Sequence, residues 1–197
     1  MNTRIDSTES DESKIGLKTA LVIIDVQRDF SEPNGKAPVC REQADVMIPV
    51  INALVERFVA QNMDVIYIVH EWTNPIIRFF MRDAAAKGTV GAEIDSRLKV
   101  VGNLKFSKSS GSSFTNKEFE QYLKSKGIRH LYVTGLAAEY CVKATIKDGL
   151  KKGYAVTAVR DGIAAKKCKN FARSLKTYEE RGAKVLLSSD LTDRLEG

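Results

Sequence analysis

The sequence predicts a three-layer αβα protein with a six-stranded, mostly parallel sheet of strand order 3-2-1-4-5-6. Short runs rich in β-branched and aliphatic residues alternate with longer segments that have the apolar spacing of a helix. This alternation is typical of βαβ units, whose connections are right-handed. The first two apolar runs are almost continuous, as expected for strands that a parallel sheet buries on both faces.

Six strands and five helices follow in order along the chain. Each predicted strand is a β-rich run bounded by polar or turn-forming residues, and the strands lie at 19–26, 64–70, 99–106, 129–136, 154–161 and 183–189. The helices are predicted at 40–62, 75–87, 115–126, 138–152 and 168–181. Three glycines stand where a helix commonly ends, at Gly127, Gly153 and Gly182.

The composition is that of one ordinary globular domain. Of the 197 residues, 43% are hydrophobic and 28% are charged, and a chain of this size can be served by one core. Residues 1–16 are polar and acidic, so we expect a disordered tail there and a single domain over 17–197. That polar start does not resemble a signal peptide, and no apolar run approaches the roughly 18 residues of a membrane span. We therefore expect a cytoplasmic protein without a membrane partner.

The net charge of +6 does not indicate a nucleic-acid partner. The basic residues are spread among acidic ones along the predicted helices. A nucleic-acid interface would show a basic cluster interleaved with aromatic residues. A solvated surface is the favoured interpretation.

Three cysteines are an odd number without paired spacing, so the sequence predicts reduced thiols and no disulfide. Cys40 and Cys168 each open a predicted helix without a carboxylate or lysine placed beside them, and we interpret both as structural. Cys141 instead follows the fourth strand directly, in the first turn of a predicted helix. It is the candidate nucleophile.

Reactive side chains fall at three predicted strand ends. In an open parallel sheet, ligands bind outside the carboxyl ends of the strands, where the strand order reverses. Asp25 closes the first strand, Lys108 follows the third and Cys141 lies about five residues beyond the fourth. With the order 3-2-1-4-5-6, the first and fourth strands are neighbours, so Asp25 and Cys141 are expected to face one crevice.

These residue types suit a reaction in which a thiol attacks a carbonyl group. A helix N-terminus and a nearby lysine favour the thiolate of Cys141, and backbone NH groups there can stabilise an oxyanion. Asp25 would act as general base and acid, since neither His70 nor His130 is expected to be placed for that role. Taken singly, each residue has a plainer interpretation: a buried inert cysteine, a turn-forming aspartate and a solvated loop lysine.

Five stretches together carry a resemblance to a known family: "ALVIIDVQRDF" (20–30), "KSSGSSF" (108–114), "VTGLAAEYCVKATIKDGLKKGY" (133–154), "RDGIAA" (160–165) and "SLKTYEERGAKVL" (174–186). Over residues 17–190 the chain resembles the cysteine hydrolases of the isochorismatase-like superfamily. The resemblance implies hydrolysis of a small-molecule amide or related C–N bond through a thioester.

The resemblance also implies roles for particular residues. Asp25, Lys108 and Cys141 would form the catalytic triad, with Lys105 as an alternative to Lys108. A cis peptide after Leu136 would aim the NH groups of Ala137 and Cys141 into the oxyanion hole.

Four aromatic residues are candidates for the wall of the substrate pocket, with core packing as the alternative interpretation: Phe30, Trp72, Phe114 and Tyr140.

The resemblance bears on metals and assembly as well. Nicotinamidases of this superfamily carry a metal site built on an Asp-x-His pair and a further histidine, but no aspartate stands two residues before His70 in "YIVHEWTNP". We therefore expect no metal and no cofactor, and nicotinamide is disfavoured as substrate. Relatives are often dimers or tetramers, so a homodimer or homotetramer is expected. The apolar segment "NPIIRFFM" (74–81) is a contact surface, a lid or a core helix.

Two other functions compete with a hydrolase. A dinucleotide-binding module needs a Gly-x-Gly-x-x-Gly turn after the first strand, and "DVQRDFSEPNG" stands there instead. A non-catalytic relative that binds small molecules is the second, and the intact triad argues against it. A metal-independent enzyme that resembles nicotinamidases remains an alternative within the hydrolases.

Overall fold

The computed structural model describes residues 17–191, and the tail predicted at 1–16 lies outside them. Six strands form one sheet in the order β3-β2-β1-β4-β5-β6, and every neighbouring pair is parallel. The predicted fold class and strand order are confirmed. The strands are β1 (Thr19–Ile24), β2 (Asp64–His70), β3 (Lys105–Lys108), β4 (His130–Leu136), β5 (Ala155–Ala164) and β6 (Lys184–Leu186).

In the described part of the chain, six α-helices connect and cover the strands: α1 (Arg28–Ser31), α2 (Arg41–Ala60), α3 (Pro75–Phe80), α4 (Lys117–Ser125), α5 (Lys143–Lys151) and α6 (Phe171–Glu180). Shorter helical turns lie at Val90–Ala92, Ser113–Thr115, Cys168–Asn170 and Ser188–Leu191, and a π-helical turn spans Ala138–Val142. Within residues 17–191, no helix is long and apolar enough to cross a membrane.

The core consists of two apolar clusters, one on each face of the sheet. Along β1, Leu21 and Ile23 pack with the apolar face of α2, while Val22 and Ile24 pack in the other cluster with residues of α4, α5 and α6. Successive strand residues point to opposite faces, so a strand buried on both sides must be apolar at every position. The continuous run in "ALVII" is therefore explained by the helical layers on both faces.

Two predicted boundaries differ from the structure. The third strand was expected at 99–106, but the chain turns through Gly102, whose φ is +62°, and β3 begins only at Lys105. The helix expected at 75–87 ends at Phe80, because Arg82, Asp83 and Ala85 all have positive φ. No residue of α3 is buried, so segment 74–81 is not a core helix.

Cys40 and Cys168 form a disulfide, with an S–S distance of 2.13 Å and a Cα–Cα distance of 5.1 Å. This corrects the expectation of reduced thiols. The two residues are 128 positions apart, and only the topology brings them together. Cys40 precedes α2 and its NH donates to the carbonyl of Ala165, which follows β5. The spacing of the cysteines along the sequence does not indicate this disulfide.

Candidate active site

A cavity of about 480 Å³ lies outside the carboxyl ends of the strands, at the reversal of strand order between β1 and β4. A parallel α/β sheet places its ligand site at this point, and the volume suits a small molecule. Its walls are formed by Asp25, Phe30, Ala37, Val39, His70, Trp72, Met81, Gly111, Leu136, Ala137, Tyr140, Cys141 and Lys166.

The ammonium group of Lys108 is the centre of a buried cluster beside this cavity. Its Nζ lies 2.8 Å from Oδ2 of Asp25, 2.9 Å from Nδ1 of His70 and 3.4 Å from Sγ of Cys141. Asp25, His70 and Lys108 are almost completely buried, and Cys141 is partly buried. Four consecutive strands of the sheet, β3, β2, β1 and β4, thus each bring one polar side chain to the same point.

Backbone geometry brings the first and fourth strands close together at this edge. Asp25 has a φ of +55°, and its NH donates to the carbonyl of Ile68 in β2. Gly135 in β4 has a φ of +100°, and a Cβ there would lie 2.1 Å from the carbonyl oxygen of Ile24. Only glycine permits this approach. The Leu136–Ala137 peptide is cis, and the π-helical turn that carries Cys141 follows it.

Burial dominates the titration of the cluster. It raises the pKa of Asp25, although the charge of Lys108 opposes the change. Burial, followed by the negative charge of Asp25, raises the pKa of Cys141 to about 12, and Lys108 again opposes the change. Burial therefore favours the thiol of Cys141 over the thiolate, because a second anion beside Asp25 is unfavourable in a dry site.

His70 is closer to the cluster than expected. Its Nδ1 contacts Lys108 and lies 3.9 Å from Oδ2 of Asp25. Burial, with the charge of Lys108, lowers the pKa of His70 to about 3, so the ring is neutral. An ammonium group only donates hydrogen bonds, and Nδ1 must therefore accept. His70 has no free basic nitrogen, because Nδ1 accepts from Lys108 and the hydrogen of the neutral ring is on Nε2.

Lys108, rather than Lys105, occupies the cluster. Lys105 begins β3 and is exposed, whereas Lys108 ends that strand and pairs in register with His70 of β2. The NH of Glu71 donates to the carbonyl of Lys108 at 2.9 Å, which fixes this strand end.

The turn after β4 places the two residues expected to form an oxyanion hole. Ala137 and Cys141 both line the cavity. The carbonyl of Ala137 accepts from the NH of Tyr140 at 2.9 Å, and the carbonyl of Ala138 accepts from the hydroxyl of Tyr178. These two hydrogen bonds fix the conformation of the turn beside the cavity.

Three of the four aromatic candidates line the cavity: Phe30, Trp72 and Tyr140. Phe114 does not, and this corrects the expectation. Residues 109–112 carry the chain past the cavity, and Phe114 packs in the core against Phe119 and Tyr154, with ring centroids 5.2 and 5.5 Å away.

Some residues of the cavity wall were not predicted from the sequence. Met81 and Val39 come from loops whose course depends on the fold. Lys166 directly follows the quoted stretch "RDGIAA" at the end of β5. This position at a strand end is the sequence feature that could have identified it as a wall residue. Its Nζ donates to the carbonyls of Ala37 and Pro38 at 2.8 and 2.9 Å. Burial lowers the pKa of Lys166.

The fold and the position of the cluster define an α/β protein with a thiol, a carboxylate and a lysine at its ligand-binding edge. The family model of the isochorismatase domain matches residues 19–190. The chain belongs to this family and is an isochorismatase-family hydrolase.

Several known proteins are similar to the chain. It is 28% identical over 146 residues to the secreted isochorismatase effector of Verticillium dahliae, covering 74% of this chain and 72% of that protein. It is 25% identical over 169 residues to ureidoacrylate amidohydrolase RutB of Caulobacter segnis, covering 73% and 71%. The crystal structure of pyrazinamidase of Pyrococcus horikoshii in complex with zinc superimposes with a TM-score of 0.78 and 28% identity, over 86% of this chain and 99% of that one.

The zinc in the pyrazinamidase structure raises the question of a metal in this chain. Within residues 17–191, the possible ligand atoms of Asp25, His70 and Cys141 lie within 4.8 Å of one another. Lys108 Nζ, however, is already at hydrogen-bonding distance from Asp25 and His70 and contacts Cys141. The ammonium group holds the position that a metal cation would need, so these residues do not fit a metal. A second group contains Cys40 and Cys168, whose sulfurs are bonded to each other.

Proposed function

We propose that the chain is a cysteine-dependent hydrolase of a small-molecule amide or related C–N bond, with Asp25, Lys108 and Cys141 as its catalytic triad. The observation that carries the proposal is the position of one buried ammonium group between a carboxylate and a thiol. The amidohydrolase relative in Caulobacter segnis supports the same bond type. No cofactor and no metal take part in the proposed steps.

The first step transfers the proton of Cys141 to Asp25. In the proposed resting form, Cys141 keeps its proton, because burial raises its pKa to about 12, and Asp25 is the carboxylate that pairs with Lys108. As Sγ of Cys141 attacks the substrate carbonyl carbon, its proton moves to Asp25. The negative charge passes from carboxylate to sulfur and then to the carbonyl oxygen. Lys108 offsets the charge at the carboxylate and the sulfur.

The NH groups of Ala137 and Cys141 stabilise the oxyanion in this scheme. Asp25 then gives its proton to the leaving nitrogen as the C–N bond breaks, which leaves an acyl thioester on Cys141. A water molecule attacks the thioester carbonyl while Asp25 takes one of its protons. The acid departs and the thiol regains its proton.

Ammonia release from a panel of small amides, ureas and carbamoyl acids tests this function. The panel includes nicotinamide, since a metal-independent nicotinamidase-like enzyme is the alternative within the class. Wild type is compared with Cys141→Ala, and a chelator is added as a control. Cysteine-dependent, chelator-insensitive release supports the proposal, and release that persists in Cys141→Ala contradicts the mechanism.

A non-catalytic binding protein is the second candidate, and one observation favours it. A thiol with a pKa of about 12 is a poor nucleophile without assistance. The two functions differ in whether a bound amide is turned over. Binding of panel members without release of any product by wild type would select the binding protein.

We further propose that the chain forms a homodimer or homotetramer through α3. Ile76, Phe79 and Phe80 are 68%, 79% and 76% exposed, and such an apolar surface commonly marks a contact between chains. Met81, which follows α3, lines the cavity, so this contact would also affect the cavity wall. Light scattering of wild type and Phe79→Asp measures the oligomeric state, and a monomeric wild type would contradict the proposed assembly.

The cytoplasmic location stays a prediction, to be checked by cell fractionation.

A further inference from the structure

The disulfide between Cys40 and Cys168 joins two segments that both form walls of the proposed active-site cavity. Ala37 and Val39 come shortly before Cys40, and Lys166 comes shortly before Cys168. All three of these preceding residues line the cavity. A bond that can be opened and closed chemically therefore connects two parts of the cavity wall.

The two sulfur-bearing residues differ in their access to solvent. Cys40 is 4% exposed, whereas Cys168 lies in the exposed stretch 167–169, between two lysines. Thiol–disulfide exchange begins when a thiolate attacks an accessible sulfur, and positive charge close by favours thiolates. In the predicted cytoplasmic location, disulfides are usually transient or redox-sensing. The position of Cys168 therefore suits attack by an external thiol, with Cys40 as the sulfur that is released.

The segment that carries Cys168 is also bonded to the turn that carries Cys141. Glu139 lies in this π-helical turn, and its Oε2 accepts from the NH of Lys166 at 2.7 Å. Its Oε1 accepts from the NH of Lys167 at 3.1 Å. The disulfide is thus one residue away from a carboxylate that holds the turn. Movement of residues 166–168 would reach the proposed nucleophile through Glu139.

Buried hydrogen bonds are expected to keep the fold intact when the disulfide opens. The NH of Cys40 donates to the carbonyl of Ala165, and the NH of Ala165 donates to Oε1 of Gln43, both at 2.8 Å. The contacts of Lys166 Nζ with two carbonyls of the opposite segment lie nearer the surface, where water competes for them. Opening should therefore loosen residues 166–168 and leave the sheet unchanged.

We infer that the bond between Cys40 and Cys168 is a thiol–disulfide exchange site for dithiols, and that its redox state controls access to Cys141. The inference goes beyond the proposed hydrolysis and does not depend on it. The change reaches Cys141 through residues 166–168 and Glu139.

The exchange takes two steps. A thiolate of the dithiol attacks Sγ of Cys168, the bond between the two protein sulfurs breaks, and Cys40 leaves as a thiolate that takes up a proton. The second thiol of the reagent then attacks the mixed disulfide and releases Cys168 as a thiol. The protein gains two electrons and two protons, and the dithiol becomes an intramolecular disulfide.

Equilibration of the full chain with mixtures of reduced and oxidised dithiothreitol tests the exchange. Free thiols are counted by alkylation and mass spectrometry, while circular dichroism monitors folding. We expect both thiols of the pair to appear reversibly in the folded protein. In the Cys141→Ala background, Cys40→Ser leaves only Cys168, and Cys168→Ser leaves only Cys40. The thiol of Cys168 should react with an aromatic disulfide at least about tenfold faster than that of Cys40, because exchange requires an accessible sulfur.

The reaction of Cys141 with iodoacetamide, followed by peptide mass spectrometry, tests the control of access. Oxidised and reduced wild type are compared after the dithiol is removed, and we expect about a threefold or larger acceleration on reduction, since access limits a partly buried thiol. The double variant Cys40→Ser with Cys168→Ser is the matched control. It should react at the rate of reduced wild type, with or without dithiol treatment. Glu139→Gln loses one carboxylate acceptor, and reduction should accelerate its reaction by about twofold or less.

Release of the paired thiols only on unfolding, or equal reactivity of Cys40 and Cys168, would overturn the exchange site. The same Cys141 rate in oxidised wild type, reduced wild type and the double variant would overturn the control of access. A response of Glu139→Gln as large as that of wild type would overturn the connection through this residue. Ammonia release plays no part in these measurements, so the proposed function can fail without affecting them.

Discussion

Lys108 Nζ and Asp25 Oδ2 form a completely buried ion pair at 2.8 Å, and the same ammonium group contacts His70 and Cys141. Two buried charges are tolerated only when each has a partner, because both have lost their hydration. The pair therefore links the stability of this edge of the sheet to the proposed chemistry.

Replacing Lys108 by methionine is expected to abolish activity and to lower the free energy of unfolding by about 3 kcal/mol, because Asp25 loses its buried counter-charge. Lys105→Met is the matched control, since it changes an exposed lysine of the same strand. We expect a change within about 0.5 kcal/mol for that control. Urea unfolding and ammonia release measure both effects. Equal losses of activity in the two variants would show that Lys108 is not a member of the triad.

Alkylation of Cys141 reports how Asp25 controls the thiol. The charge of Asp25 contributes to the raised pKa of Cys141, so Asp25→Asn should lower that pKa and accelerate the reaction with iodoacetamide at pH 8. Lys108→Met removes the group that lowers the pKa and should slow the reaction. The disulfide protects Cys40 and Cys168 from the reagent. A slower reaction in Asp25→Asn would contradict the assigned electrostatics.

His70 makes the stability of the protein depend on pH in acid. Its pKa is about 3 in the folded state against an ordinary value of 6.5, so between these values the unfolded state binds more protons. Stability is therefore lost as the pH falls from about 6.5 to about 3. In His70→Asn this part of the slope should disappear, by about one proton. Urea titrations at several pH values measure the slope, and an unchanged slope would mean that His70 titrates normally.

The sequence predicts much of the site because the fold itself places strand ends together. Continuous apolar runs identify β1 and β2 as doubly buried strands, and the strand order then brings Asp25 and Cys141 to one crevice. Contacts that depend on loop paths were not accessible in this way. The cavity position of Met81 and the core position of Phe114 are set by turns whose dihedral angles have no clear sequence signal.

The protonation of Cys141 and the presence of a disulfide also depend on packing that the sequence alone does not show. The residue types suggested a thiolate, but the degree of burial decides its pKa, and burial is a property of the packed structure. The disulfide between Cys40 and Cys168 joins residues that are 128 positions apart, so spacing rules for short disulfide-rich chains did not apply.

Removal of that disulfide is expected to lower stability by about 2–4 kcal/mol, since it closes a long loop in the unfolded chain. The double change Cys40→Ser with Cys168→Ser is compared with wild type, each with and without a reducing agent. The reducing agent should destabilise wild type and leave the double variant unchanged. Equal stability of all four samples would show that the bond does not form in solution.

Gly135 provides the sharpest test of how the strand ends meet. Alanine there requires an unfavourable φ of +100° and places a methyl group 2.1 Å from the carbonyl oxygen of Ile24. We expect a loss of about 3 kcal/mol in stability, together with reduced activity as Asp25 and Cys141 move apart. Gly102→Ala is the matched control, because φ is +62° there but a methyl group meets no atom of residues 17–191 within 4 Å. It should cost about 1 kcal/mol through the backbone alone. Urea unfolding of both variants separates the two causes, and equal losses would show that β1 and β4 do not approach as closely as described.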